Sequence, residues 1–145
     1  MDPSLRERVW ERARFCCEYC QIPQQFDEAT FEVDHIIARQ HLGTSVVSNL
    51  ALPCFHCNRH KSSNLSGRDP VTRRTVSLFN PRRHKWDRHF RWDGPRLVGR
   101  TPVGRATIAT LMINDFLRVL LRKELLDEDL FPPRILSQKD RKSVV

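Results

Sequence analysis

Cys17-Glu18-Tyr19-Cys20, Phe31-Glu32-Val33-Asp34-His35-Ile36-Ile37, Asn49-Leu50-Ala51-Leu52-Pro53 and Cys54-Phe55-His56-Cys57-Asn58-Arg59-His60-Lys61 decide how this chain folds. A Cys-x-x-Cys turn points two sulfurs at one place, and two such turns complete the tetrahedral thiolate set that structural zinc prefers. The spacing therefore predicts one zinc ion per chain on Cys17, Cys20, Cys54 and Cys57. A redox dithiol is the alternative, but it expects a single pair beside a βαβ pattern, which is absent here. Unpaired core cysteines are the other. Cys16 reads as a core residue, because free cysteine is among the most buried residue types. His56, inside the second turn, is a substitute ligand only if a cysteine is not used.

Working outward, Phe31 to Ile37 alternates apolar and polar residues before turning apolar, which predicts a short half-buried strand presenting Asp34 and His35 at its end. A loop runs from Ala38 to about Ser48. Asn49 to Pro53 forms a second short strand, which Pro53 stops, and a helix opens at Asn58. Upstream, Pro3 and the capping box of Ser4 with Glu7 predict a helix over about Leu5 to Phe15. Downstream, Ser62 to Thr75 has no periodicity and reads as an irregular connection. Asp93-Gly94 between two alternating runs signals a β-hairpin ending at Arg96 to Gly99. Thr101 and Pro102 read as N-cap and first turn of a long helix whose apolar stripe continues to about Leu126. Pro132-Pro133 ends regular structure, and 132–145 reads as a disordered tail.

The 145 residues suit one domain of ordinary size. The most apolar stretch, Ala106 to Leu121, is broken by Asn114, Asp115 and Arg118, which excludes the ~20-residue apolar span that a bilayer demands. The first residues lack the apolar core of a secretory signal, so a cytoplasmic protein with reduced thiols is expected. The formal excess of +8 is uneven. Residues 1–67 carry 7 basic and 8 acidic side chains, residues 106–145 carry 7 and 6, and residues 68–105 carry 11 and 3. Clustered arginine suits a polyanionic partner, since phosphate neutralisation releases counterions. A solvated surface loop is the plainer alternative.

The ordered set of Cys-x-x-Cys, Asp34-His35, Asn49-Leu50 and Cys-x-x-Cys-Asn-x-x-Lys resembles the zinc-bearing HNH endonuclease family. The resemblance spans Cys17 to Lys61. It implies an α+β fold with a small ββα-metal core, a two-stranded hairpin followed by a helix gripping one divalent ion. Leu78 to Asn114, with Phe79-Asn80-Pro81-Arg82 and Gly104-Arg105-Ala106-Thr107, also looks like the C-terminal extension of some bacterial HNH proteins. On this reading 1–67 is the nuclease core with its zinc site, and 68–131 is a basic extension of a β-hairpin plus a long helix.

The resemblance also implies roles. His35 would act as general base on water, Asp34 and Asn58 would hold the catalytic divalent ion, and Asn49 would brace the loop that aims the histidine. The family commonly has histidine at the position of Asn58. An amide oxygen in its place favours Mg²⁺, with Mn²⁺ or Ni²⁺ as other candidates. The substrate implied is DNA, with RNA second, contacted by Lys61, Arg73, Arg74, Arg82, Arg83, Arg88 and Arg91. Taken singly, Asp34 reads as a turn cap, His35 as a strand-end histidine, and Asn49 and Asn58 as turn residues; catalysis rests on their coincidence between two thiol pairs. The alternative function is a non-catalytic, zinc-stabilised DNA- or RNA-binding module. A third reading lets the Ile108 to Leu120 stripe dock a partner helix.

Overall fold

The computed structural model describes residues 1–134. In chain order the elements are α1 (Pro3–Arg12), β1 (Asp34–His35), β2 (Leu50–Ala51), α2 (Phe55–Lys61), β3 (Ser66–Arg68), β4 (Thr75–Ser77), α3 (Trp86–His89), β5 (Phe90–Asp93), β6 (Arg96–Gly99), α4 (Pro102–Thr110) and α5 (Phe116–Asp127). The strands form three antiparallel pairs, β1 with β2, β3 with β4 and β5 with β6. The fold is α+β, as read from the sequence. No helix among the described residues is long and apolar enough to cross a membrane.

The core motif is β1, β2 and α2. Asp34 lies opposite Ala51 and His35 opposite Leu50, so two residues of each strand suffice to set the hairpin. The helix begins at Phe55, earlier than the expected Asn58, because Cys54 is its N-cap and its sulfur accepts from Cys57 N at 3.3 Å. Asn58 and Lys61 thus fall within one continuous helix and, three apart, share a face.

The first helix is also displaced from its expected span. Asp2, not Ser4, caps it, accepting from Ser4 N at 3.0 Å, with Pro3 preset for the first turn. It ends at Arg12, and Arg14 and Phe15 then adopt left-handed φ values of 56° and 61°, turning the chain into the first thiol pair.

Two corrections concern the extension. Ser62 to Thr75 is not irregular: Ser66–Arg68 pairs with Thr75–Ser77 around a turn organised by Asp69. The Asp69 carboxylate accepts from Val71 N and from the Thr72 hydroxyl, and takes a two-pronged contact from Arg105 at 2.9 Å on each oxygen. These strands are three residues long and each turns a single residue inward, Gly67 and Val76, too few positions for an alternating pattern to register. The expected long helix is two helices. Met112 takes a left-handed φ of 53°, and Asn114 exchanges two hydrogen bonds with the Leu97 backbone, continuing the β6 edge with a side-chain amide. Asp115 then caps α5, accepting from Leu117 N.

The Asp93-Gly94 hairpin stands as expected, with Gly94 at the positive φ its turn requires. Thr101 caps α4 by accepting from Gly104 N at 3.0 Å. One apolar cluster joins both halves of the chain, with Val9, Phe31, Leu50 and Leu52 on one side and Leu78, Phe79, Phe90 and Leu97 on the other. Burying each such side chain contributes about 1.5–3 kcal/mol, so the extension packs as part of the core rather than as a dangling basic arm. Of the expected disordered tail, residues 135–145 lie outside the described region.

Candidate functional site

The four sulfurs of Cys17, Cys20, Cys54 and Cys57 lie within 4.8 Å of one another, all buried. Zn–S bonds of about 2.3 Å in a tetrahedron put sulfurs about 3.8 Å apart, and Cys20 Sγ stands 3.7 Å from Cys54 Sγ. Each turn also aims backbone donors at its leading sulfur: Tyr19 N and Cys20 N reach Cys17 Sγ at 3.4 Å, as Cys57 N reaches Cys54 Sγ. The donor set fits zinc. Hydrogen bonds from Cys17, Cys54 and Cys57 pull the Cys20 thiol well below its ordinary pKa, while the Cys57 thiol is pushed well above by Cys17, Cys20 and Cys54. Four thiolates so close need a cation to ionise together. Burial pushes the neighbouring Cys16 thiol up to about 11, consistent with its core role, and all five cysteines are free.

Two residues missed in the sequence reading border this cluster. Arg118 of α5 donates to Asp27 Oδ2 at 2.9 Å and to Cys54 Sγ at 3.6 Å. Burial opposes its charge, yet Cys20 and Asp27 outweigh that and hold the guanidinium pKa above the usual value. One turn on, Arg122 is almost wholly buried, donating to the Pro95 and Ile113 carbonyls and lying over the Trp92 ring. Four thiolates and one Zn²⁺ carry a net charge of −2, and these two arginines bring the opposite charge from the extension. The signal was present in the sequence, because Arg118 and Arg122 interrupt an otherwise apolar helix face at i, i+4.

The second constellation surrounds β1. His35 Nε2 lies 2.8 Å from Ser45 Oγ, and Asp34 Oδ2 accepts from Lys61 Nζ at 3.2 Å. Asn49 spans the loop between the strands: its Oδ1 accepts from Ile37 N at 2.9 Å, and its Nδ2 donates to Ile37 O at 3.0 Å and Thr44 O at 2.9 Å. Thr44 precedes Ser45, so the amide that ties down Thr44 also fixes the hydroxyl that holds His35. Gly43 is required here. A Cβ at that position would overlap the Ile37 carbonyl and crowd Asn49 Nδ2 at 2.9 Å. Ser45 carried no sequence signal, being one hydroxyl in a polar loop.

Lys61 is not on the helix surface; it is 2% exposed, and its ammonium also donates to Ile36 O at 3.4 Å. Asn58, three residues before Lys61, lies on the same side of α2 as the lysine that reaches Asp34. No hydrogen bond occupies the Asn58 side chain among the described residues, which leaves its amide oxygen available.

The basic residues separate into two groups. Arg82 faces inward, paired with Glu18 and donating to Leu50 O at 2.9 Å, while Glu18 accepts from Leu52 N at 2.8 Å. It buttresses β2, so its expected phosphate contact gives way to a structural role. Arg73, Arg74, Arg83, Arg88 and Arg91 are exposed. Of the histidines in the extension, His89 is buried against Thr101 Oγ1 at 2.6 Å, and burial lowers its pKa.

Residues 17–64 match the family model for HNH endonuclease. That segment contains both thiol pairs, β1, β2, α2, Asp34, His35, Asn49 and Asn58, and the match brings nuclease chemistry on a nucleic acid as its general implication. It spans about a third of the chain, and the extension lies outside it. No curated protein and no solved structure gives a significant match.

Proposed function

We propose that this protein is a metal-dependent DNA endonuclease of the HNH kind, cytoplasmic, with one structural zinc on Cys17, Cys20, Cys54 and Cys57. In it, residues 1–67 cut and the exposed arginines of residues 68–131 hold the phosphate backbone. The observation that carries the reading is the support behind His35: a hydroxyl at 2.8 Å on one ring nitrogen, on a loop tied down by Asn49. A strand-end histidine with no chemistry to perform has no need of such aim.

In the tautomer with the proton on Nε2, the Ser45 hydroxyl accepts from it, and the Nδ1 lone pair is left to take a proton from the attacking water. Asp34 presents its second carboxylate oxygen while Lys61 holds the first. Asn58 adds a neutral oxygen donor from the facing helix. A divalent ion on these two side chains would neutralise the charge that develops on the phosphate and stabilise the leaving oxygen. Hard oxygen donors favour Mg²⁺, with Mn²⁺ or Ni²⁺ as substitutes. The stiff Asn49 brace means little reorganisation as the base takes its proton.

The test is plasmid cleavage with zinc-loaded protein and Mg²⁺, Mn²⁺, Ni²⁺ or chelator, for the wild type and His35→Ala. Metal-dependent nicking that falls about 10²- to 10⁴-fold in the variant, at unchanged zinc content and melting temperature, supports the reading. Nucleic-acid binding without nicking under any metal would replace it with the non-catalytic DNA- or RNA-binding module.

A further inference from the structure

A cleft of about 390 Å³ opens beside the Asp34-His35 strand, between the end of β1, the C-terminal end of α2 and the base of the β3–β4 hairpin. Two large aliphatic side chains, Ile37 and Leu65, line it although each is more than 40% exposed. Its polar lining is made of donors and neutral groups: Arg83, His84, Asn64 and Ser77. No carboxylate lines it. Asp34, on the adjoining strand, is paired with Lys61, itself part of the wall.

Two local devices set these donors. Asn80 Oδ1 accepts from Arg82 N at 2.9 Å and Arg83 N at 3.3 Å, so one Asx turn sends Arg82 inward to Glu18 and leaves Arg83 at the cleft. His84 Nδ1 accepts from Asn80 N at 3.0 Å, which puts the neutral ring's proton on Nε2 as a further donor.

We propose that this cleft is the subsite for the nucleotide flanking the cut, binding one unpaired strand of nucleic acid. Arg83 and His84 take its phosphate, and its base lies over Ile37 and Leu65. The inference rests on the nuclease reading above and deepens it. Single-strand sites combine a cationic groove with side-chain platforms for the bases, usually aromatic. Here Arg83 and His84 supply the donors and the aliphatic Ile37 and Leu65 stand where such a platform would be, a base being held by apolar contact rather than ring stacking. A volume of about 390 Å³ is enough for one nucleotide. The position follows from Ile36 and Lys61, which wall the cleft and join it to the Asp34-His35 site.

The experiment measures binding of a short fluorescent single-stranded oligodeoxynucleotide across a salt series, with zinc-loaded His35→Ala protein as the non-cutting parent. Onto it are placed Arg83→Gln, Ser77→Trp, which fills the cleft without removing charge, and Arg96→Gln, an exposed arginine of β6 with no place in the cleft. Each variant is first checked for an unchanged melting temperature. Arg83→Gln should weaken binding about tenfold at low salt and reduce the salt slope by about 0.7 for the lost contact. Ser77→Trp should weaken it by a similar factor with the slope kept. Arg83→Gln no weaker than Arg96→Gln, or Ser77→Trp binding like the parent, overturns the cleft while leaving the nuclease reading intact. A wild-type protein that neither nicks plasmid nor binds any oligonucleotide overturns the nuclease reading itself.

Discussion

Between Asp34 and Lys61 the strands are two residues long and the one α-helix has seven, whereas residues 66–127 build two hairpins and α-helices of four, nine and twelve residues. So little regular structure cannot hold functional side chains by backbone ladders alone. In the HNH segment the work falls to side chains bridging distant backbone: Asn49 across its loop, Lys61 onto Asp34, and the sulfurs at one centre. The extension holds itself by ordinary means, with its apolar residues packed on Phe79 and Phe90 and its turns clamped by Asp69 and Asn114. The two regions also lean on each other. Arg82 supports β2 from behind, and Arg118 reaches the thiol cluster from α5. The proposed chemistry thus sits where the fold is thinnest, supported by side chains from the extension.

If the thiol centre is what replaces regular structure in the HNH segment, its loss should be the most damaging change in the protein. Cys54→Ala removes a ligand and the N-cap of α2 together. We expect zinc content to fall from one per chain to near zero, with loss of the cooperative thermal transition, since structural zinc supplies on the order of 10 kcal/mol to domains that depend on it. Stripping zinc with a chelator should do the same. Elemental analysis and a melting curve decide it, and folded, zinc-free protein would break the comparison.

The dependence of the HNH segment on the extension is tested by adjacent arginines. Arg82→Ala leaves the largely buried Glu18 carboxylate without its ion-pair partner, and should destabilise by about 3 kcal/mol. Arg83→Gln, at the exposed neighbour, should leave stability within about 0.5 kcal/mol. Denaturant titration of both distinguishes them, and equal stabilities would show that Arg82 does not brace the hairpin.

A smaller effect should come from pH, and within the extension. Asp69 has its carboxyl pKa held well below the usual value by the Arg105 clamp and the turn's N–H donors. A depressed folded pKa gives stability that is fully present above the unfolded value of about 3.9 and is lost as pH falls below it towards the folded value. Acid should therefore loosen the β3–β4 hairpin in this range. Asp69→Asn should be less stable at neutral pH and should lose part of that acid dependence, as hydrogen exchange of Asp69 and Arg73 amides would reveal. An unchanged pH profile would mean that the clamp contributes nothing to stability.

The smallest change probes the aim of the base. Ser45→Ala keeps His35 but removes its hydroxyl partner, and we expect cleavage to drop by about three- to tenfold, while zinc content and melting stay as in wild type. Gly43→Ala should act on the same brace more severely, because its Cβ would collide with Ile37 O. A Ser45→Ala protein that cuts at the wild-type rate would detach that hydroxyl from function.

The sequence by itself determined the thiol centre, the Asp34-His35 strand and its partner at Leu50, the cap at Thr101 and the hairpin turn at Asp93-Gly94. These depend on residue type at fixed short spacing, which chain order records directly. It also placed the charge excess in one segment, but could not say which arginines face out. Only the tertiary structure decided that Arg82 turns inward while Arg83 does not, because the choice depends on Glu18, distant in sequence and adjacent in space. The same holds for the break between α4 and α5, where the amide of Asn114 competes successfully for Leu97 and overrides a continuous apolar stripe. The β3–β4 hairpin was invisible because each three-residue strand turns only one side chain inward, one of them a glycine, and its turn is built by Asp69 with a partner 36 residues away. Ser45 belongs with these. Its partner, His35, is met only after the loop has closed, so nothing in local pattern could announce it, whereas Arg118 left a trace as a charge interrupting an apolar helix face.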